Sequence, residues 1–115
     1  MDIKKYIRDK KRLIDKALDK CLPSARTTPQ IIHKAMRYSV FSGGKRIRPI
    51  LNIASFEACG GNPKLILPVS SAIELIHTYT LIHDDLPCMD NDGYRRGKLS
   101  RHKKFSDAVA LLAGD

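Results

Sequence analysis

The sequence predicts an all-α protein, and three observations carry that prediction. Apolar residues recur at intervals of three and four along most of the chain, as they do on one face of a helix. Prolines and glycine pairs fall where these segments begin or end. No segment alternates apolar and polar residues as a half-buried strand does. At 115 residues, the chain is expected to form one domain over residues 1–115.

Three helices are predicted in the first sixty residues. The first is amphipathic, runs from residue 3 to residue 21 and ends before Pro23. Pro29 opens the second at a position where its missing N–H costs nothing, and Gly43-Gly44 ends it. Pro49 suits the first turn of the third, which runs to Gly60-Gly61.

The fourth segment, residues 65–82, is apolar nearly all round, which predicts a central helix enclosed by other helices. Residues 90–101 contain two glycines and several charges without apolar periodicity and are expected to form a loop. Another helix is predicted to begin near Phe105. Because its apolar face ends at Leu111-Leu112, we expect further structure to follow it and the chain to be truncated.

Composition limits the classes of function. The formal net charge of +9 favours polyanionic partners but does not choose among nucleic acid, anionic membrane and phosphorylated small molecules. Three widely spaced cysteines without a C-x-x-C pair indicate neither a disulfide framework nor a zinc site. The charged start does not resemble a signal peptide, and the sequence predicts no membrane span. A soluble, cytoplasmic protein is expected.

Carboxylates cluster in the segment that follows the central helix. Four lie within nine residues: Asp84, Asp85, Asp90 and Asp92. Like charges this close repel unless a cation lies among them, and oxygen-only ligands favour magnesium, manganese or calcium. An EF-hand is excluded, because placing Gly93 at the sixth loop position puts Cys88 at the first and Leu99 at the twelfth, where neither supplies a ligand.

Basic residues border these acids and indicate a phosphorylated ligand. Arg95, Arg96 and Lys98 follow directly, while Gly43 to Pro49 offers a second basic group without the frame of a Walker loop. This combination of acids and bases suits a diphosphate. The carboxylates would hold it through magnesium, and the arginines would bind its oxygens directly.

The spacing of the acids predicts a break in the helix. On a straight helix Asp90 would lie about 120° around the axis from Asp84. Pro87 cannot donate to the carbonyl of His83, so we expect the helix to break there and allow the two aspartates to converge.

A known family contains the same combination of motifs. Four segments in this order closely resemble the trans-polyprenyl diphosphate synthases, and most of all the bacterial farnesyl diphosphate synthases: Gly43 to Pro49, Ile76 to Asp85, Arg95 to Lys98 and Leu112 to Asp115. The resemblance implies the N-terminal helices of an isoprenoid synthase bundle. It also implies a magnesium-dependent prenyltransferase that condenses isopentenyl diphosphate with dimethylallyl or geranyl diphosphate to give farnesyl diphosphate.

The resemblance implies roles for ten residues. Asp84 and Asp90 would be the principal magnesium ligands and Asp85 an auxiliary one, and Arg95 would contact the allylic diphosphate. Isopentenyl diphosphate would be held by Lys45, Arg48, His77 and Arg96. Chain length would be set by Tyr79 and Thr80, which precede Asp84 by five and four residues and are expected to line the product channel.

The sequence is also compatible with other functions. Gly93 stands where the family commonly has another aspartate, and the family's second aspartate-rich motif is not within this chain. The chain alone is therefore expected to be inactive, although the intact enzyme should be a homodimer. A geranylgeranyl diphosphate synthase and a noncatalytic dimerising fragment are the alternatives. A nucleic-acid binder is disfavoured because stacking aromatics and binding motifs are lacking.

Overall fold

The computed structural model describes all residues from Met1 to Asp115 and confirms an all-α architecture with one small addition. The elements in chain order are α1 (Ile3–Cys21), α2 (Gln30–Phe41), α3 (Ile47–Ala58), α4 (Pro63–Asp84), β1 (Tyr94–Arg95), β2 (Lys98–Leu99), α5 (Arg101–Lys104) and α6 (Asp107–Gly114). The prolines and glycines that mark boundaries in the sequence lie at or beside the observed helix ends.

Two compact units make up the chain, and each draws on separate stretches of sequence. The first comprises Met1–Cys21 and Lys45–Leu75, and the second comprises Leu22–Gly44 and Ile76–Asp115. Helix α4 contributes its first part to one unit and its last part to the other. The expected single domain over residues 1–115 stays a prediction.

The first unit is built on the pairing of α1 with α3. Ile14 and Leu18 of α1 and Ile53 of α3 are fully buried, and together they supply the apolar interior of this unit. Ile14 and Leu18 are four residues apart, so both lie on the face of α1 that periodicity predicts to be apolar. Glu57 near the end of α3 joins the same pair of helices by accepting a hydrogen bond from Tyr6 at 2.5 Å.

The second unit packs α2 and α5 against α6. Its apolar cluster consists of Ile82, Leu86 and Ala110. Ser106 caps α6, because its hydroxyl accepts the backbone N–H of Val109 at 3.2 Å. Ile82 lies at the end of α4 and Leu86 just after it, so this cluster connects the segment that carries the aspartates to Ala110 of α6.

The expectation that α4 is enclosed by other helices is wrong for this chain. Four of its large apolar side chains are exposed: Leu65, Val69, Ile76 and Tyr79. Periodicity shows that these positions are apolar but cannot show what covers them. By length and composition alone, α4 is also the one helix that meets the requirements of a membrane span, a test that core helices of globular proteins pass as well.

Candidate functional site

The aspartate-rich segment begins where α4 ends, and the predicted break is confirmed. Helix α4 stops at Asp84, and the carbonyl of His83 accepts the N–H of Leu86 at 3.3 Å instead of continuing the helical pattern. Pro87 lacks the N–H that a helix would need at that carbonyl. The chain then turns back, and the N–H of Asp90 donates to the carbonyl of Asp84 at 2.8 Å. The backbones of Asp84 and Asp90 are therefore hydrogen-bonded across a turn of five intervening residues.

Neighbouring aspartates face different surroundings. The side chains of Asp84 and Asp90 are exposed, whereas that of Asp85 is only 1% exposed. Successive helical residues point about 100° apart, so a helix end that presents one side chain to solvent can bury the next. Asp84 and Asp90 are therefore accessible to a ligand from solution, and Asp85 is occupied within the protein.

Asp85 is held by two arginines. Arg95 donates from Nε to one carboxylate oxygen and from Nη2 to the other, both at 2.7 Å, which is the bidentate geometry that a guanidinium favours. Arg101 Nη1 lies 3.8 Å from Asp85 Oδ2. The hydrogen bonds to Asp85 raise the pKa of Arg95, and the charges of Asp84 and Asp92 act in the same direction. Arg95 is thus firmly cationic at the edge of the aspartate segment.

Arg95 and Arg96 lie on a short hairpin where the sequence predicts only a loop. Strand β1 pairs antiparallel with β2, so that Tyr94 faces Leu99. Arg96 and Gly97 form the two-residue turn with φ values of 52° and 73°, the combination that favours a hairpin. The strands are two residues long, too short for an alternating pattern to be visible in the sequence. Arg96 also donates to the carbonyl of Gly43, which fastens the hairpin to the end of α2.

Three further predicted site residues lie on the last turns of α4. His77 is partly buried, and its carbonyl accepts the hydroxyl of Thr80 at 2.6 Å. Tyr79 is 43% exposed, and its ring meets that of His83 edge to face with centroids 5.7 Å apart. The role of Tyr79 in setting chain length stays a prediction.

Lys45 and Arg48 belong to the first unit. Both side chains are exposed and flank Arg46, which is buried and adopts the left-handed conformation with φ 58°. Arg46 donates to Asp15 at 2.8 Å and to the buried Glu74 at 3.0 Å. The basic segment therefore contains two exposed cations and one buried cation that holds the unit together.

Sequence reasoning missed Arg46 and Arg101 as buried arginines. Nothing in their local sequence distinguishes them from exposed neighbours, since their partners are distant in the chain. One signal was present for Arg46, because Glu74 lies in an otherwise apolar helix and a buried carboxylate requires a partner. For Arg101 no signal of that kind exists.

The oxygen ligands fit a magnesium ion only in part. No group of three or more His, Cys, Asp or Glu side chains is arranged to hold a metal ion by itself. Magnesium, however, is usually bound by one or two carboxylates, with water and phosphate oxygens completing the octahedron. Asp84 and Asp90 supply two such carboxylates, and both are exposed. The arrangement suits a metal that arrives with a phosphorylated substrate rather than a permanent metal centre.

Comparison with known proteins agrees with the motifs. The family model described as polyprenyl synthetase matches residues 29–115. The chain is 54% identical over 114 residues to the large subunit 1 of the heterodimeric geranylgeranyl pyrophosphate synthase of Arabidopsis thaliana, covering 99% of this chain and 30% of that protein. It is 47% identical over 115 residues to the farnesyl diphosphate synthase of Geobacillus stearothermophilus, covering all of this chain and 38% of that protein.

Solved structures show the same likeness in three dimensions. An FPP/GFPP synthase from Zymomonas mobilis superposes with a TM-score of 0.91 at 44% identity, over 97% of this chain and 40% of that one. A geranyltransferase from Legionella pneumophila also gives 0.91, at 42% identity, over 97% and 39% of the respective chains. This chain thus spans about two fifths of each of these solved relatives.

Proposed function

The chain belongs to the polyprenyl synthetase family, and from that premise we propose that it forms the first part of a prenyltransferase joining isopentenyl diphosphate to an allylic diphosphate. The observation that carries the proposal is the segregation of charge around the end of α4. Exposed Asp84 and Asp90 meet across a turn, and the cationic Arg95 lies beside them on the hairpin. Metal-bound carboxylates next to arginines are suited to a diphosphate.

Each group has a distinct task in this proposal. Asp84 and Asp90 would be the magnesium ligands. The resemblance implies that Asp85 is an auxiliary ligand, but its buried carboxylate is paired with Arg95, so we propose that it contributes through that arginine instead. When bound, magnesium supplies positive charge to the departing diphosphate. We assign Arg95 to the allylic diphosphate, whose negative charge grows as its carbon–oxygen bond breaks. The isopentenyl double bond then attacks the allylic carbon, and the cationic adduct loses a proton to the released diphosphate, so no protein nucleophile is needed. Isopentenyl diphosphate is assigned to Lys45, Arg48, His77 and Arg96.

Relatives of this chain include both farnesyl and geranylgeranyl diphosphate synthases. We assign farnesyl diphosphate as the product, because the large ring of Tyr79 lies five residues before Asp84, about one helical turn from the proposed metal site, where it would stop a growing chain. Thr80 contributes at the adjacent position. A magnesium-dependent, cytoplasmic homodimer completes the proposal.

A hybrid enzyme tests the reaction. Residues 1–115 replace the matching segment of the Geobacillus stearothermophilus farnesyl diphosphate synthase, and product is measured from labelled isopentenyl diphosphate and dimethylallyl diphosphate. We expect magnesium-dependent synthesis that Asp84→Asn or Asp90→Asn lowers about a hundredfold or more. Lys103→Arg, an exchange at an exposed position of α5, serves as the control. A folded, dimeric hybrid without activity would count against the proposal.

The unmodified chain decides between catalysis and a noncatalytic role. Magnesium-dependent release of diphosphate by the 115 residues alone would assign catalysis to this chain. Self-association without such release would instead favour a dimerising fragment.

Product length is tested at Tyr79 in the same hybrid. Tyr79→Ala removes the ring and should shift products from fifteen carbons to longer chains, as separated by chromatography. Tyr79→Phe keeps the bulk and should leave the product unchanged. An unaltered product from Tyr79→Ala would refute the assignment of the ring as the stop.

A further inference from the structure

Arg101, the first residue of α5, is buried although it carries a permanent charge. Its side chain is only 2% exposed, and it is among the largest fully buried side chains of the chain. Burial lowers the pKa of Arg101, and the negative charge of Asp85 opposes that change. A charged group removed from water is costly unless it is paired and hydrogen-bonded. The contacts of Arg101 therefore indicate what it does.

Those contacts connect α2 to the aspartate segment. Arg101 Nε donates to Ser39 Oγ at 2.9 Å, and Nη2 donates to the Ser39 carbonyl at 2.8 Å. Ser39 is fully buried, and its hydroxyl donates in turn to the carbonyl of Ala35 at 2.8 Å, one turn earlier in α2. The remaining terminal nitrogen lies 3.8 Å from Asp85. Helix α2 thus holds the guanidinium in a fixed position against Asp85.

Asp85 transmits this constraint to the exposed part of the site. Both of its oxygens accept hydrogen bonds from Arg95, so the orientation of the Arg95 guanidinium depends on the carboxylate. Asp85 is also the residue directly after Asp84 and the first in the turn that returns the chain to Asp90. A shift of the Asp85 side chain would therefore alter both the arginine and the turn.

We propose that Arg101 is a positioning residue, which holds Asp85 from the buried side and thereby fixes both Arg95 and the turn that brings Asp90 to Asp84. It touches neither metal nor substrate. The link to metal binding rests on the proposed function, whereas the order of the turn does not and can be measured separately.

Hydrogen exchange measures the turn in the 115-residue chain. Arg101→Lys keeps the charge but loses the planar fork that bonds Ser39 at two points. We expect the amides of Asp90 and Asn91, which donate to the carbonyls of Asp84 and Leu86, to exchange about tenfold faster, corresponding to the loss of one hydrogen bond to a charged group. Amides of α1 should exchange at their original rates.

Metal affinity provides the second measurement. Mn²⁺ binding to the same chain, followed by electron paramagnetic resonance, should weaken about tenfold in Arg101→Lys, since groups that orient metal ligands affect affinity by that order. The control is the reverse exchange at the exposed neighbour in α5, Lys103→Arg, which should bind Mn²⁺ as the original chain does. A general disturbance of α5 would weaken both variants equally and would overturn the proposal.

A milder variant allows the proposal to be tested if Arg101→Lys does not fold. If circular dichroism shows that Arg101→Lys is unfolded, Ser39→Ala removes one acceptor and keeps the Ser39 carbonyl. It should change exchange and affinity in the same direction by a smaller factor. Unchanged exchange at Asp90 and Asn91 in a folded variant would overturn the proposal. Faster exchange in a chain that never binds Mn²⁺ would uphold the positioning role and count against the metal role in the proposed function.

Discussion

Replacing either of two adjacent aspartates with asparagine should have opposite effects on stability. Asp84→Asn and Asp85→Asn remove the same charge from side chains of nearly the same shape. The Asp84 side chain is exposed at the C-terminal end of α4, where a negative charge is unfavourable for the helix dipole. Loss of that charge should raise the free energy of unfolding by a few tenths of a kcal/mol at most. The Asp85 side chain is 1% exposed, hydrogen-bonded to Arg95 and in an ion pair with Arg101.

The cost at Asp85 follows from its contacts. Breaking a buried ion pair typically costs about 3–5 kcal/mol, because the partner charge is left in the interior. Here Arg101 remains buried, but Arg95 is 26% exposed and can turn partly to water, which favours the lower end of that range. We expect a loss of about 3 kcal/mol, equivalent to a fall of about 10 °C in the melting temperature of a domain this size.

Urea and thermal unfolding, followed by circular dichroism at neutral pH, measure both variants against the unmodified chain. Matching m-values are needed to show that the difference lies in stability. The reasoning would be refuted if Asp85→Asn cost less than about 1 kcal/mol, a loss typical of ordinary substitutions. An equal loss in Asp84→Asn would refute the assignment of one aspartate to the interior and one to solvent.

Two further predictions concern the first unit. Gly61→Ala should destabilise the chain by about 1–3 kcal/mol, because the new Cβ would lie 2.3 Å from the Phe56 ring. Phe56→Leu in the same chain should restore part of that loss. If chemical denaturation showed that the two substitutions change the free energy of unfolding additively, the contact would be refuted. Hydrogen bonding from Lys10 lowers the pKa of Glu57, so the stabilisation that the Glu57 carboxylate supplies should be lost as pH falls below 4.5. Burial and the hydrogen bond to Glu57 raise the pKa of Tyr6 from 10.0 to about 12. The stabilisation from the Tyr6 hydroxyl should therefore be lost as pH rises between those two values. Urea unfolding midpoints measured across the pH range test both losses of stability. Glu57→Gln should remove the fall in the midpoint at acidic pH.

The sequence predicts helix boundaries well where the backbone itself sets them. Pro29 and Pro49 fall at helix starts, and Pro87 ends the helical pattern at the carbonyl of His83. These are local effects of a missing N–H and a fixed φ, so they act whatever surrounds them. The break after Asp84 is the most useful of these predictions, because it determines how the two exposed aspartates meet.

The environment of each side chain is harder to predict, because it depends on distant segments. Arg95 and Arg101 look alike in the sequence, yet one is 26% exposed and the other 2%. The difference arises from Ser39, which lies 62 positions before Arg101. Likewise, apolar periodicity places Ile14 and Leu18 on the inner stripe of α1, and both are buried. It also places Ile3 and Ile7 on that stripe, and both are exposed, as are Val69 and Ile76 of α4.

In the proposed site, burying Asp85 would leave Asp84 and Asp90 to bind a ligand. Three carboxylates in seven residues would repel one another if all faced the same space, yet here one is neutralised within the protein by Arg95 and Arg101. Asp84 and Asp90 remain in water, where the high dielectric constant makes the repulsion between like charges weak. The turn can therefore bring them together at small cost before any cation binds. An all-exposed cluster would be more strained, and an all-buried one would be closed to a diphosphate.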